Sequence, residues 1–191
     1  MHSKTSAQAS VARSGGARPS EHLLNLLGAF VTDQGDALAR ELERTIGTGG
    51  SIPAALLSIE TWPDRSIDFL ANVVGLTHSA TVRLVARLEA EGRVERRAGA
   101  DGRVVALRLT RAGRKRVQAA RDARRDQLAA FAEYFHPGAL EELERSLTRF
   151  LQDRSRTRQE ARHSCRFCDH TVCRGAACPI GSSVAEAMPN V

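Results

Sequence analysis

From Glu21 to Ile46 the apolar residues fall at Leu23, Leu27, Phe30, Val31, Leu38, Leu42 and Ile46. Most steps are three or four residues, which predicts one long amphipathic helix. Gly47-Thr48-Gly49-Gly50 breaks it. Ser51 can cap a second helix that carries Pro53 in its first turn and runs to about Thr61, before Trp62-Pro63. A short helix over Ser66–Val74 follows, then the turn Gly75-Leu76. Thr77 can accept free amides at the start of another helix, which continues to about Ala90 and ends at Gly92. Segments Val94–Arg97 and Arg103–Leu109, joined by Ala98-Gly99-Ala100-Asp101-Gly102, predict a β-hairpin. Its second arm alternates Val105, Leu107 and Leu109 with Ala106 and Arg108, the period of a half-buried strand. Thr110 caps a long polar helix extending to Phe135, and His136-Pro137-Gly138 ends it. A last helix carries Leu140, Leu143, Leu147, Phe150 and Leu151 on one stripe, with a nearly all-polar extension from Gln152 to Arg162. The segment from Ser164 to Val191 shows neither period.

The expected fold class is therefore mainly α with a small β-hairpin wing: a winged helix-turn-helix between long N- and C-terminal helices. The 191 residues suffice for a real core without disulfides or metal. No apolar run approaches the ~18 residues of a spanning helix, so no membrane association is expected. Residues 1–20 lack the apolar block of a secretory signal and are expected to be a disordered arm. A cytoplasmic location is expected. Aromatic residues are only 4% of the chain, which argues against a stacking platform for single-stranded nucleic acid.

The formal charge of +6 matters because it is clustered. Arg83, Arg87, Arg93, Arg96, Arg97, Arg103, Arg108, Arg111, Arg114 and Lys115 face only Glu89, Glu91, Glu95 and Asp101 in the same stretch. Arginine presents a planar fork suited to phosphate oxygens and guanine edges. On the helix beginning near Thr77, the residues Thr81, Leu84, Val85 and Leu88 form the expected buried stripe. Ser79, Ala80, Arg83 and Arg87 lie opposite. Small residues at the helix start let the backbone approach a major groove, where Arg83 and Arg87 can reach base edges or phosphates. His78 can touch DNA there or simply be exposed.

The stretch Leu70-Ala71 through Gly75-Leu76-Thr77-His78-Ser79-Ala80-Thr81-Val82-Arg83-Leu84-Val85, then Leu88-Glu89-Ala90-Glu91-Gly92, resembles the MarR-type winged-helix transcriptional regulators. Asp101-Gly102-Arg103 ahead of Leu107-Arg108-Leu109-Thr110 resembles that family's wing signature and is the most specific part. The resemblance covers about Glu21 to Arg158. It implies a homodimer whose first and last helices interlock, binding double-stranded DNA at a palindromic operator, and a possible small-molecule effector. It further implies that Arg103 reaches a minor groove and that Asp101 orients basic neighbours; turn chemistry also suits Asp101 and Gly102. Phe30 and Trp62 could border an effector pocket, although ordinary packing is the preferred explanation of both. The expected layout is an N-terminal dimerisation helix over 21–50, the DNA-binding domain over 51–110, C-terminal dimerisation helices over 111–163 and a cysteine-rich tail over 164–191.

All four cysteines lie in that tail, as Cys165-x2-Cys168-x4-Cys173-x4-Cys178 followed by Pro179. Four thiolates this close suggest a shared ligand, with a metal favoured over disulfides in a reducing compartment. Zinc is the first expectation and an iron–sulfur cluster the alternative. Arg166 and Arg174 would offset the charge. His163 and His170 could substitute as ligands but are expected to face solvent. Phosphate-cradling, GxSxG and HExxH motifs are missing, so a non-enzymatic regulator, with repression as its expected action, is the leading reading. The competing reading is a thiol redox or metal-handling module whose winged domain binds protein.

Overall fold

A computed structural model describes residues 18–98, 105–154 and 157–184. Two compact units divide the chain, the first ending at Asp36 and the second beginning at Ala37. Helix α1 (Glu21–Ile46) crosses that division. In its first unit, Ser20 Oγ accepts the amide of Leu23, and Leu23, Leu24, Leu26, Leu27 and Val31 are all exposed.

The second unit holds the winged core. Helices α2 (Ile52–Thr61), α3 (Ile67–Val74) and α4 (His78–Ala90) lead into strands β1 (Val94–Ala98) and β2 (Val105–Leu109), then α5 (Arg111–Ala132). The strands pair antiparallel, with Val94 opposite Leu109 and Ala98 opposite Val105. Leu42 and Ile46 from the end of α1 join Leu56, Leu57, Leu70, Val85, Leu88, Val94, Leu107, Leu109 and Val117 in one buried cluster. Helix α2 is almost wholly enclosed, from Ile52 through Ile59. Each such side chain taken from water contributes roughly 1.5–3 kcal/mol, so this cluster is what fixes the helix-turn-helix in place.

Local signals explain most boundaries. Ser66 Oγ accepts the Phe69 amide, Thr77 the Ala80 amide and Thr110 the Gly113 amide, each capping its helix. Gly75 closes α3 at φ 73°, a left-handed conformation costly for any other residue type. Ser51 differs from expectation: its backbone is already helical and its side chain makes no cap bond, so Pro53 and burial carry the start of α2.

Beyond the core, α6 (Pro137–Arg154) does not extend through Arg162. A new helix, α7 (Arg158–Ser164), begins at Thr157 with a reciprocal capping box to Glu160. The capping residue offers the backbone an alternative to continuing α6, which is why the polar extension breaks. The described part of the tail, residues 164–184, is also more regular than its lack of period suggests. A 3₁₀ turn over Gly175–Ala177 leads into α8 (Pro179–Ser183), and Ala161, Cys165, Cys178, Ile180 and Val184 form a second buried cluster. Tertiary burial, not periodicity, orders this segment.

Among the described residues no single helix is long and apolar enough to cross a membrane.

Candidate nucleic-acid interface

The chain turns through 106° between α3 and α4, within the range of a helix-turn-helix. Thr81, Val85 and Leu88 anchor α4 by burial and Leu84 packs half-buried beside them, so rotation about the helix axis is fixed. The opposite face then presents Thr77, His78, Ser79, Arg83 and Arg87 to solvent, with Ala80 half-buried at its edge. His78 Nδ1 meets Asp68 Oδ1 at 2.5 Å, which ties the start of α4 back to α3 while the ring stays largely exposed.

The arginine cluster is less uniformly free than its sequence implies. Arg87 pairs with Glu91, Arg96 with Glu89 and Arg97 with Glu95. Arg93 reaches Glu91 and also donates to the Ile46 carbonyl at 2.9 Å, and Arg114 donates to the Leu109 carbonyl at 2.7 Å. Those two are structural clamps. Among the described residues, Arg83, Arg111 and Lys115 are the members of the cluster with no ion pair or hydrogen bond, and only Arg83 of these stands on α4. Asp101 and Arg103 lie outside the described residues.

The wing's base is held from two sides. Thr110 donates its amide to the Arg93 carbonyl at 3.0 Å and its hydroxyl to the Gly92 carbonyl at 2.7 Å. On the other edge, Asp64 adopts φ 61°, donates its amide to the Leu107 carbonyl at 2.9 Å, and accepts a two-pronged bond from Arg108. Leu107 in turn donates to the Arg65 carbonyl at 3.1 Å, so the α2–α3 connection adds a short third rung to the hairpin. The Arg108 guanidinium holds the Asp64 carboxyl below the usual carboxylate range. Sequence reasoning missed Asp64; the signal was an aspartate directly after Trp62-Pro63, a position where Asp tolerates left-handed backbone.

The cysteine segment sits against this domain. Cys165 and Cys178 are buried, and Cys168 and Cys173 pack beside them at partial burial. Among the described residues, no three His, Cys, Asp or Glu side chains form a group that could hold a metal ion as they stand. The contact with Cys165 holds the Cys168 thiol down to about 6 and pushes Cys165 up, while burial leads in raising Cys173 to about 11.

His163 stays exposed as expected, yet its Nδ1 lies 2.9 Å from the Val73 carbonyl at the end of α3, whereas His170 departs from the solvent-facing expectation. His170 stacks edge-on to Trp62 with ring centroids 5.0 Å apart, its Nε2 buried. Trp62 also meets Phe69 at 5.8 Å, so it has the aromatic company that its isolation in sequence conceals. Nearby, Arg121 pairs with Glu60, whose carboxyl burial pushes up against the pull of that guanidinium.

No protein-family model and no curated protein matches the chain. Solved structures do. The chain is similar to a MarR family protein from Bacillus stearothermophilus, at 26% identity over 69% of this chain and 92% of that one, with a TM-score of 0.62. It is similar to Rv1404 from Mycobacterium tuberculosis at 23% identity, 72% and 96% coverage and a TM-score of 0.62. A MepR mutant from Staphylococcus aureus bound to an oligodeoxyribonucleotide matches at 17% identity, 70% and 98% coverage and a TM-score of 0.53. The fold is that of MarR-type winged-helix proteins.

Proposed function

We propose that this chain is a DNA-binding transcription regulator, a repressor acting as a homodimer on a palindromic operator, and not an enzyme. One observation carries the reading: α4 is locked by its buried stripe with its small, polar N-terminal face and the unpaired Arg83 turned outward. That face suits a major groove, with Thr77, Ser79 and Ala80 allowing close approach, Arg83 reading an edge or a phosphate, and His78 and Arg87 beside them. Arg103, with Asp101 orienting it, completes the interface from the wing in a minor groove.

Two observations support a dimer. In the first unit, α1 exposes four leucines and Val31. In the second, α6 has no buried residue and exposes Leu147 at 50% and Phe150 at 59%. Apolar faces of this kind are covered in stable proteins, and a second copy of the chain supplies matching faces by symmetry. A small-molecule effector is part of this reading, with no pocket assigned to it; Trp62 is engaged by Phe69 and His170.

The test is selection of bound fragments from genomic DNA by the full chain. Enrichment of one inverted-repeat sequence supports the reading. Uniform recovery of all fragments, or of none, refutes it and favours a winged domain that binds protein.

A further inference from the structure

The cysteine lobe is not an appendage on a tether. It grips the helix-turn-helix at its turn. Helix α3 ends with carbonyls that lack partners within the helix. The amides of Gly75 and Leu76 both go to Ala71, while the Val73 carbonyl is met from outside by His163, two residues before Cys165. A histidine at a helix C-terminus also complements the helix dipole. Around that bond, Gln159 donates to Asn72 at 3.4 Å and the Arg162 guanidinium lies 4.9 Å over the Phe69 ring. A Cβ at Gly75 would stand 3.3 Å from the His163 ring, which would have to give by a few tenths of an ångström. On the lobe's other flank His170, between Cys168 and Cys173, rests on Trp62.

Within the lobe all four cysteines belong to one cluster, Cys165 and Cys178 buried and Cys168 and Cys173 half-buried against them, and the Gly181 amide already donates to Cys178 Sγ at 3.1 Å. Amide–sulfur bonds of this kind stabilise thiolate ligands. Four thiols gathered in one small cluster supply the donor set of a single tetrahedral ion. Zinc–sulfur bonds of about 2.3 Å in a tetrahedron place the sulfurs about 3.8 Å apart, which is contact range. A four-iron cluster gives each thiolate its own iron and holds the sulfurs well beyond contact.

We propose that Cys165, Cys168, Cys173 and Cys178 bind one zinc ion as a tetrathiolate, and that the ion holds the lobe's grip on the Val73 end of α3, keeping the helix-turn-helix set for DNA. The coupling to DNA rests on the regulator reading; the zinc site and the grip do not. A purely structural clip would leave the grip indifferent to the metal.

Trp62 is the chain's single tryptophan, so its emission reports lobe docking directly. The experiment takes the full chain as purified, measures metal content, removes metal with a chelator under reducing conditions and adds zinc back. We expect about one zinc per chain, no visible colour, a red shift of Trp62 emission on removal and its reversal by zinc alone. Affinity for the selected DNA should fall roughly tenfold in parallel. His163→Ala should retain the zinc yet show the loosened state with metal bound; Cys173→Ser, at the less buried end, should lose zinc and show the same emission shift. Iron with sulfide, or four titratable thiols that take up no zinc, overturns the site. Unchanged Trp62 emission across removal overturns the grip, and a shifted emission with unchanged DNA affinity overturns the coupling. Emission that responds as expected in a chain that binds no DNA leaves site and grip standing and refutes the regulator reading instead.

Discussion

Gly113→Ala should destabilise the winged domain although it replaces a poor helix former with the best one. Gly113 lies in the first turn of α5, where its amide is bound by Thr110 Oγ1 at 3.1 Å. A Cβ built there would stand 2.2 Å from the Arg93 carbonyl oxygen and 3.1 Å from its carbon, against the 3.0 Å below which real Cβ contacts essentially never fall. The obstructing atoms are backbone and cannot swing aside. Arg93 must move, and its carbonyl is the acceptor for the Thr110 amide at the wing's base. Propensity alone favours Ala by about 1 kcal/mol. Overpacking costs about 1–3 kcal/mol, and loss of the Thr110 bond a further 0.5–1.5 kcal/mol or so. The net expectation is a loss of about 1–3 kcal/mol. Urea unfolding followed by circular dichroism measures it as a lower midpoint at constant slope. Gly138→Ala is the control, since its added Cβ would meet only the His136 ring, at 3.5 Å. A Gly113 variant as stable as the wild type, or more so, would refute the steric argument.

Arg83→Ala should narrow the affinity difference between the selected site and random DNA by ~1–3 kcal/mol if Arg83 reads a base edge, and weaken both equally if it holds phosphate; competition binding separates the two, and no loss on either DNA would remove Arg83 from the interface. Arg103→Ala should weaken DNA binding strongly while leaving the unfolding midpoint and sedimentation unchanged; loss of the dimer would count against its placement at the wing. Phe150→Glu, at the exposed face of α6, should shift sedimentation from dimer to monomer, and an unchanged dimer would contradict that face's role. Because Arg108 holds the Asp64 carboxyl down, the pair contributes stability above the ordinary carboxylate pKa, and this is lost as pH falls through the lowered folded value. Asp64→Asn keeps the left-handed turn but should remove that part of the acid dependence; an unaltered stability-versus-pH curve would mean that the pair contributes nothing.

The helices and hairpin were legible because each is written locally. Capping residues at Thr77 and Thr110, breakers at Gly75 and Gly92, and the alternating strand to Leu109 need no tertiary information. What could not be read depends on residues brought together from afar. Arg93 and Arg114 look like DNA-binding charge in a sequence count, yet they clamp the Ile46 and Leu109 carbonyls. Asp64 looks like an ordinary turn residue, and only the return of β2 shows its hold on Arg108. The break at Thr157 is written as a capping box, but a polar run with no apolar stripe gave no reason to look for one. His163, His170 and Trp62 acquire their meaning from the docking of the tail, which no periodicity records. For the proposed interface, the exposed face of α4 followed from spacing, and the pairing of Arg87 with Glu91 became visible only in three dimensions.

The central claim is that this chain reads DNA through α4 and the wing. Fluorescence anisotropy with the selected inverted repeat, set against a scrambled duplex across a salt series, tests it most directly. Tight binding to the repeat, weaker binding to the scrambled duplex, and a logarithm of affinity that falls steeply and linearly with the logarithm of salt concentration are expected. No binding to either duplex at ~50 mM salt, where phosphate contacts are strongest, would contradict it.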